Sequence, residues 1–166
     1  MSVLRFFMML SLVVWLGGLI FFAFVVAPSA FSVLPTRHLA GALVTRTLGA
    51  LHWMGIVSGV VFLGASMGYS YGLRGAAQPG AARHVLIYAM LVLTLVSQFG
   101  IMAHMSKLRA DMGEIDLIAP TDARRVEFNR LHEWSTRLEG AVLVLGLAAI
   151  FALAREWKPK QLVDVK

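Results

Sequence analysis

Charged residues are absent from three long stretches of this 166-residue chain: Phe6 to Thr36, Thr47 to Leu73, and His84 to Ser106. A fourth, shorter gap runs from Gly140 to Ala154. A helix needs about 20 apolar residues to cross the hydrocarbon core of a bilayer. The first three stretches are long enough outright, and the fourth becomes so if its helix tolerates ionisable residues near one boundary. The expectation is an all-α integral membrane protein, a bundle of four spanning helices.

The chain is 58% hydrophobic, with mean hydropathy +0.75, and four spans with their connections use up its length as a single membrane domain. A net charge of +6 would suggest nucleic acid in a soluble protein. Here the cations flank the spans, where they meet anionic headgroups, and no basic face is long enough to track phosphates. The expected partner is the lipid bilayer, with no nucleic acid. The absence of cysteine excludes disulfides, thiolate metal sites, iron–sulfur clusters and cysteine nucleophiles. Arg5 followed by an apolar run to Ala27 has the outline of a signal peptide, but it is longer than an h-region and is read as a retained first span.

The pattern predicts spans at about 4–26, 39–67, 84–105 and 134–157. The first ends at Pro28, which removes a helix hydrogen bond. The glycine-rich 68–83 stretch, with Pro79, reads as a loop, and so does 107–120. Thr121, directly after Pro120, is a plausible N-cap, with Asp122 favourable in the first turn. Phe128, Leu131, Trp134 and Leu138 then follow at helical spacing. One helix is therefore expected from Thr121 to Trp157, with a juxtamembrane part over 121–134 that extends beyond the bilayer. Glu133 and Arg137 lie four apart in the favourable order. Trp134 and Trp157 are about 34 Å apart along such a helix, a spacing that suits a pair of interfacial tryptophans. Arg137 and Glu139 would sit just inside one boundary, paired or snorkelling.

Orientation rests on a near tie: seven Lys/Arg on the side of the termini against eight on the other. The short elements on the first side are almost purely basic, which favours cytoplasmic termini in an inner or plasma membrane.

In the second span Gly41, Thr45, Leu48, His52, Gly55, Gly59 and Phe62 recur at steps of three and four and form one stripe. Gly55 and Gly59 make a GxxxG pair, the signature of close helix approach in lipid. His52 lies within that stripe, and an ionisable residue at such depth is a functional candidate. Topology brings His104 of the third span and His132 of the fourth to the same side of the membrane, with Arg46, Arg137, Glu139, Met102 and Met105 at a similar level. Imidazole and thioether ligands suit haem iron or copper. His52, His104, His132, Arg46 and Arg137 are thus candidates for a cofactor such as haem b, and His52, His104, Met102 and Met105 for copper. Against this stands the plainer reading of each histidine as an interfacial or packing residue. Gln98 and Thr94 could bind a polar group or bond between helices, while His38 and His84, at helix ends beside arginines, read as surface residues. No catalytic signature of a metalloprotease or NTPase occurs.

Two blocks of sequence carry a family likeness. The first is Trp15-Leu-Gly-Gly-Leu-Ile-Phe-Phe with Val-Val-Ala-Pro28, Phe31, Leu34-Pro35 and Arg37-His38. The second is Phe128-Asn-Arg-Leu-His132 with Ser135. Together, in this order, they resemble the transmembrane protein 205-like domain of unknown function. The resemblance implies a four-span membrane protein without an assigned reaction. The Trp-x-Gly-Gly opening also looks like copper-resistance membrane domains and, more loosely, four-helix haem proteins of porphyrin oxidation, as an analogy of fold. Two functions are therefore expected: a non-enzymatic accessory, scaffold or transport-related subunit in a homo-oligomer or larger membrane complex, or a haem- or copper-binding membrane protein.

Overall fold

The computed structural model describes residues 1–156, and these form four long helices with no strand among them. Helix α1 spans Ser2–Val33, α2 Arg37–Arg74, α3 Ala82–Met112 and α4 Ala123–Glu156. The expected Trp157 boundary lies outside the described residues.

Each helix end has a local cause, and several differ from expectation. Pro28 does not end α1. The helix passes it through a wide π turn at Phe22–Val26, in which the Ala27 N–H donates to the Phe22 carbonyl. Such a turn accommodates the clash and the missing donor that proline brings to a regular helix. The terminator is Pro35, because the residue before a proline is pushed out of the helical region, and Leu34 is extended at φ −79°, ψ 141°. Thr36 then caps α2, its Oγ1 accepting from the Leu39 N–H at 3.2 Å. Helix α2 runs through Gly68 and Gly72, both expected in a loop, and stops at Gly75, whose φ of 71° an L side chain adopts only with strain. Helix α3 likewise extends past Met105 to Met112 and stops at Gly113, with φ 65°. The cap of α4 is Asp122 rather than Thr121: its Oδ1 accepts the Arg124 N–H at 2.9 Å.

The helices close into an antiparallel ring in which α1 packs chiefly on α2 and α3 on α4. Met8, Leu12, Trp15, Leu16 and Leu19 of α1 form one buried stripe at helical spacing, set against Leu48, Leu51 and Phe62 of α2, Ile87 and Met90 of α3, and Val142 and Ala149 of α4. The α2 stripe faces this core as its spacing predicts. A Cβ on Gly59 would come within 2.7 Å of Leu91 and 2.9 Å of Trp15, and one on Gly55 would collide with the Trp15 indole. The GxxxG groove therefore holds a tryptophan from α1. Leu51 is buried as well, so the seam is broader than the stripe.

The outer surface is apolar. Phe24, Val57, Val60, Phe99, Val144 and Phe151 are all more than half exposed. An aqueous protein would not carry so continuous an apolar surface; in lipid it is the solvated face. The chain is thus an all-helical membrane protein with four helices long and apolar enough to span.

Candidate functional site

Polar groups inside such a bundle carry the chemistry, and they gather at two places. The first is His52, 2% exposed, in the middle of α2. Its Nε2 lies 2.7 Å from Glu139 Oε1 on α4 and its Nδ1 2.8 Å from Gln98 Oε1 on α3. Ser97 Oγ donates to the same Glu139 oxygen at 3.1 Å. Ser97 and Gln98 lie on a second π turn, Val96–Met102, a form that recurs at functional sites.

The ring nitrogens constrain the proton. A neutral imidazole has one N–H and one lone pair. With the Gln98 oxygen and an ionised Glu139 both accepting, the ring must be imidazolium. With a neutral ring, either Glu139 holds the proton or the Gln98 amide turns to donate; amide orientation follows from the network. His52 and Glu139 thus share a proton whose position the neighbouring amide can select.

A cavity of about 600 Å³ opens beside this pair, between the C-terminal part of α1, the first turns of α2, the last turns of α3, and α4. Glu139 lines it, as do Phe22, Leu48, Met102, Met105 and Leu143. Its far end is basic, with Arg37, Arg109 and Arg125 beside His38 and Asp116. Arg109 is anchored: its Nη1 donates to the Gly41 carbonyl at 2.7 Å and to Thr45 Oγ1 at 2.8 Å, and its guanidinium lies 5.3 Å from the Phe128 ring centroid. Gly41 is needed for that approach, since a Cβ there would stand 2.9 Å from Arg109 Nη2.

The second polar cluster joins α2 and α3 near the 75–81 connection. The His84 Nδ1–H donates to the Gln78 carbonyl at 2.8 Å, and Nε2 lies 2.7 Å from Ser66 Oγ. Arg83 donates to Ser66 Oγ at 2.7 Å and to Ser70 Oγ at 2.6 Å. Both side chains are buried, so the surface reading of His84 is corrected. Ser66 and Ser70, one turn apart on the inner face of α2, supply the polar partners that make burial tolerable. His38 is half-buried rather than on the surface, with Nδ1 enclosed and without a hydrogen-bond partner.

The candidate residues separate into groups. His52 is deep, with both nitrogens engaged. His104 is half-exposed and 3.0 Å from Glu127. His132, Met102 and Met105 share the cavity wall. Arg46 is exposed. Arg137 is exposed too, 3.7 Å from Glu133 as their spacing predicts and 5.3 Å from the Trp134 ring centroid. The three histidines therefore do not meet as one ligand set, and among the described residues no group of three or more His, Asp or Glu side chains is arranged to hold a metal ion. Sequence reasoning missed Glu139 as the partner of His52, and Arg37, Arg109 and Arg125 as a set. The available signal for the first was that Gln98 and Glu139 are rare polar residues within apolar helices.

The family model for a domain of unknown function (DUF4149) matches residues 10–114, from the first turns of α1 through the end of α3. The chain belongs to that family. No curated protein and no solved structure matches it.

Proposed function

We propose that this DUF4149-family chain is a non-catalytic component of the membrane, a transport-related or accessory subunit that works through its interhelical cavity. One observation carries the reading: a hydrogen-bonded His52–Glu139 pair meets a cavity in the interior of an apolar bundle. Ionisable residues at such depth are costly and mark substrate, ion or proton pathways. The cavity has the size and mixed lining of a ligand site, and the pair can move a proton without placing a bare charge in lipid. The likeness of the Trp15 and Phe128 blocks to the transmembrane protein 205-like domain agrees with a membrane role lacking an assigned reaction. The non-enzymatic reading rests on the sequence, which lacks cysteine and the local signatures of metalloproteases and NTPases. Gly64-Ala-Ser66-Met-Gly68 matches the GxSxG spelling of serine hydrolases but lies inside helix α2, not at the strand-to-helix turn that motif requires.

A bundle this small completes its surface by self-association or by joining a larger complex. Gly64, exposed on α2 one to two turns after Val57, Val60 and Val61, offers the flat face that such contacts use. Of the small residues nearby, Ala65 is buried in the core instead. Purification in mild detergent with mass measurement tests the reading. A dimer or higher assembly, or a stoichiometric partner, is expected; a strict monomer with nothing bound would sink it. Both termini face the cytoplasm in this reading, which protease protection of tagged termini checks.

A second reading has its own observation. Met102, Met105 and His132 line one cavity whose mouth carries arginines suited to propionates. These residues, rather than His52 and His104, would hold a haem or copper ion. An absorption spectrum and elemental analysis of the purified protein decide it. A Soret band lost in His132→Ala supports it, and the absence of both band and stoichiometric metal removes it.

A further inference from the structure

We infer that the cavity binds one amphiphile with an anionic phosphate headgroup, held by Arg37, Arg109 and Arg125, with its apolar chain running past Phe22 and Leu48 toward Leu143. This deepens the proposed function, resting on the cavity as the working site and naming the class of molecule that enters it.

Charge points to the headgroup. Among the described residues none of the three guanidiniums pairs with a carboxylate. Arg109 is bonded only to neutral oxygens and Arg125 donates to the Ile118 carbonyl. Asp116 is the acidic residue lining this end, whereas Glu139 lies far along α4 and is already occupied by His52 and Ser97. Guanidinium groups held in place by other bonds bind phosphate strongly, since their remaining N–H groups donate to two of its oxygens at once. Arg109 meets that description through Gly41, Thr45 and Phe128.

Shape points to the chain. Arg125 and Leu143, both on the cavity wall, are about 27 Å apart along α4 at the helical rise. Along that length a cavity of about 600 Å³ has room for an extended alkyl chain. A free phosphate ion would use the basic end and leave the apolar length idle.

The test uses the purified full-length protein in detergent, with bound lipid counted by native mass spectrometry. The probes are single-chain lysophosphatidic acid, lysophosphatidylcholine with the same acyl chain, and inorganic phosphate. Two variants accompany it. Arg37→Gln with Arg125→Gln removes headgroup charge while leaving Arg109 to tie α3 to α2. Gly140→Leu puts a side chain into the cavity from a position where a Cβ meets no atom within 4 Å, so the fold accepts it. Lysophosphatidic acid is expected to bind at least tenfold more tightly than lysophosphatidylcholine, and at least tenfold more weakly in either variant at an unchanged melting temperature. Equal affinity for the two lipids, or full affinity in both variants, overturns the inference. Inorganic phosphate binding as tightly as lysophosphatidic acid overturns its lipid half. The mass of the protein assembly is read in the same spectra, so loss of lipid selectivity is distinguishable from loss of the subunit reading.

Discussion

At the scale of single residues, the interior is decided by pairs that no local pattern specifies. His52 and Glu139 satisfy each other, so removing one leaves the other buried without its partner. Glu139→Ala is expected to cost about 1–3 kcal/mol, and His52→Ala a similar amount. The double variant should cost less than the sum by at least about 0.5 kcal/mol, because neighbours in one network couple. Equilibrium unfolding in detergent measures the cycle, and simple additivity would count against a working pair. Gly55 behaves in the opposite way, since the groove needs the absence of a side chain. Gly55→Leu drives a branched group into the Trp15 indole and should destabilise by about 1–3 kcal/mol through overpacking. The same change at Gly64, where a Cβ meets nothing within 4 Å, should leave the melting temperature of the bundle unaltered.

At the scale of helices, the ends are set by backbone chemistry that competes with hydropathy. Pro28 sits inside a helix because a π turn precedes it, and Pro35 ends that helix through the residue before it. Asp122 opens α4, and its hydrogen bonds to the Arg124 side chain and backbone hold its carboxyl down to about 2, below the ordinary value near 4. A carboxyl depressed in the folded state contributes its full stabilisation above the unfolded value and loses it as pH falls from about 4 through about 2. Protection factors at Arg124 to Val126, taken relative to the intrinsic exchange rate at each pH, should therefore fall over that window, and Asp122→Asn should flatten the response. An unchanged pH profile in Asp122→Asn would assign the fraying to another group.

At the scale of the molecule, the outward faces of the helices are as apolar as the inward ones, and what separates them is residue size and polarity. The inner faces carry Gly55, Gly59, Ser66, Ser97, His52 and His84, the outer faces mostly valine and phenylalanine. Gly64 faces outward on α2, as Gly17 does on α1 and Gly100 on α3, and its place beside Val60 and Val61 makes it the first to test for contact between copies. Gly64→Ile is expected to reduce the assembled mass in mild detergent without lowering the melting temperature. An assembly indifferent to that change would place the contact on another face.

The sequence by itself determined the class and the number of spans, because bilayer thickness converts the spacing of charges into helix count with little ambiguity. It also determined the inner face of α2, since residues at steps of three and four must share a side whatever the helix packs against. Helix ends were less legible: Gly68 and Gly72 look like breakers but lie within α2, where a glycine costs little once packing holds the helix. The site was legible only in half. His52 stood out as an ionisable residue in an apolar stripe, yet its partners lie on two other helices, 46 and 87 positions away. Their meeting depends on the rotation of each helix, which one-dimensional spacing does not contain. The same rotation buried His84 against Ser66 and left His104 facing outward toward Glu127. Only the tertiary structure decided these placements, because a histidine's role is set by which oxygens reach its nitrogens.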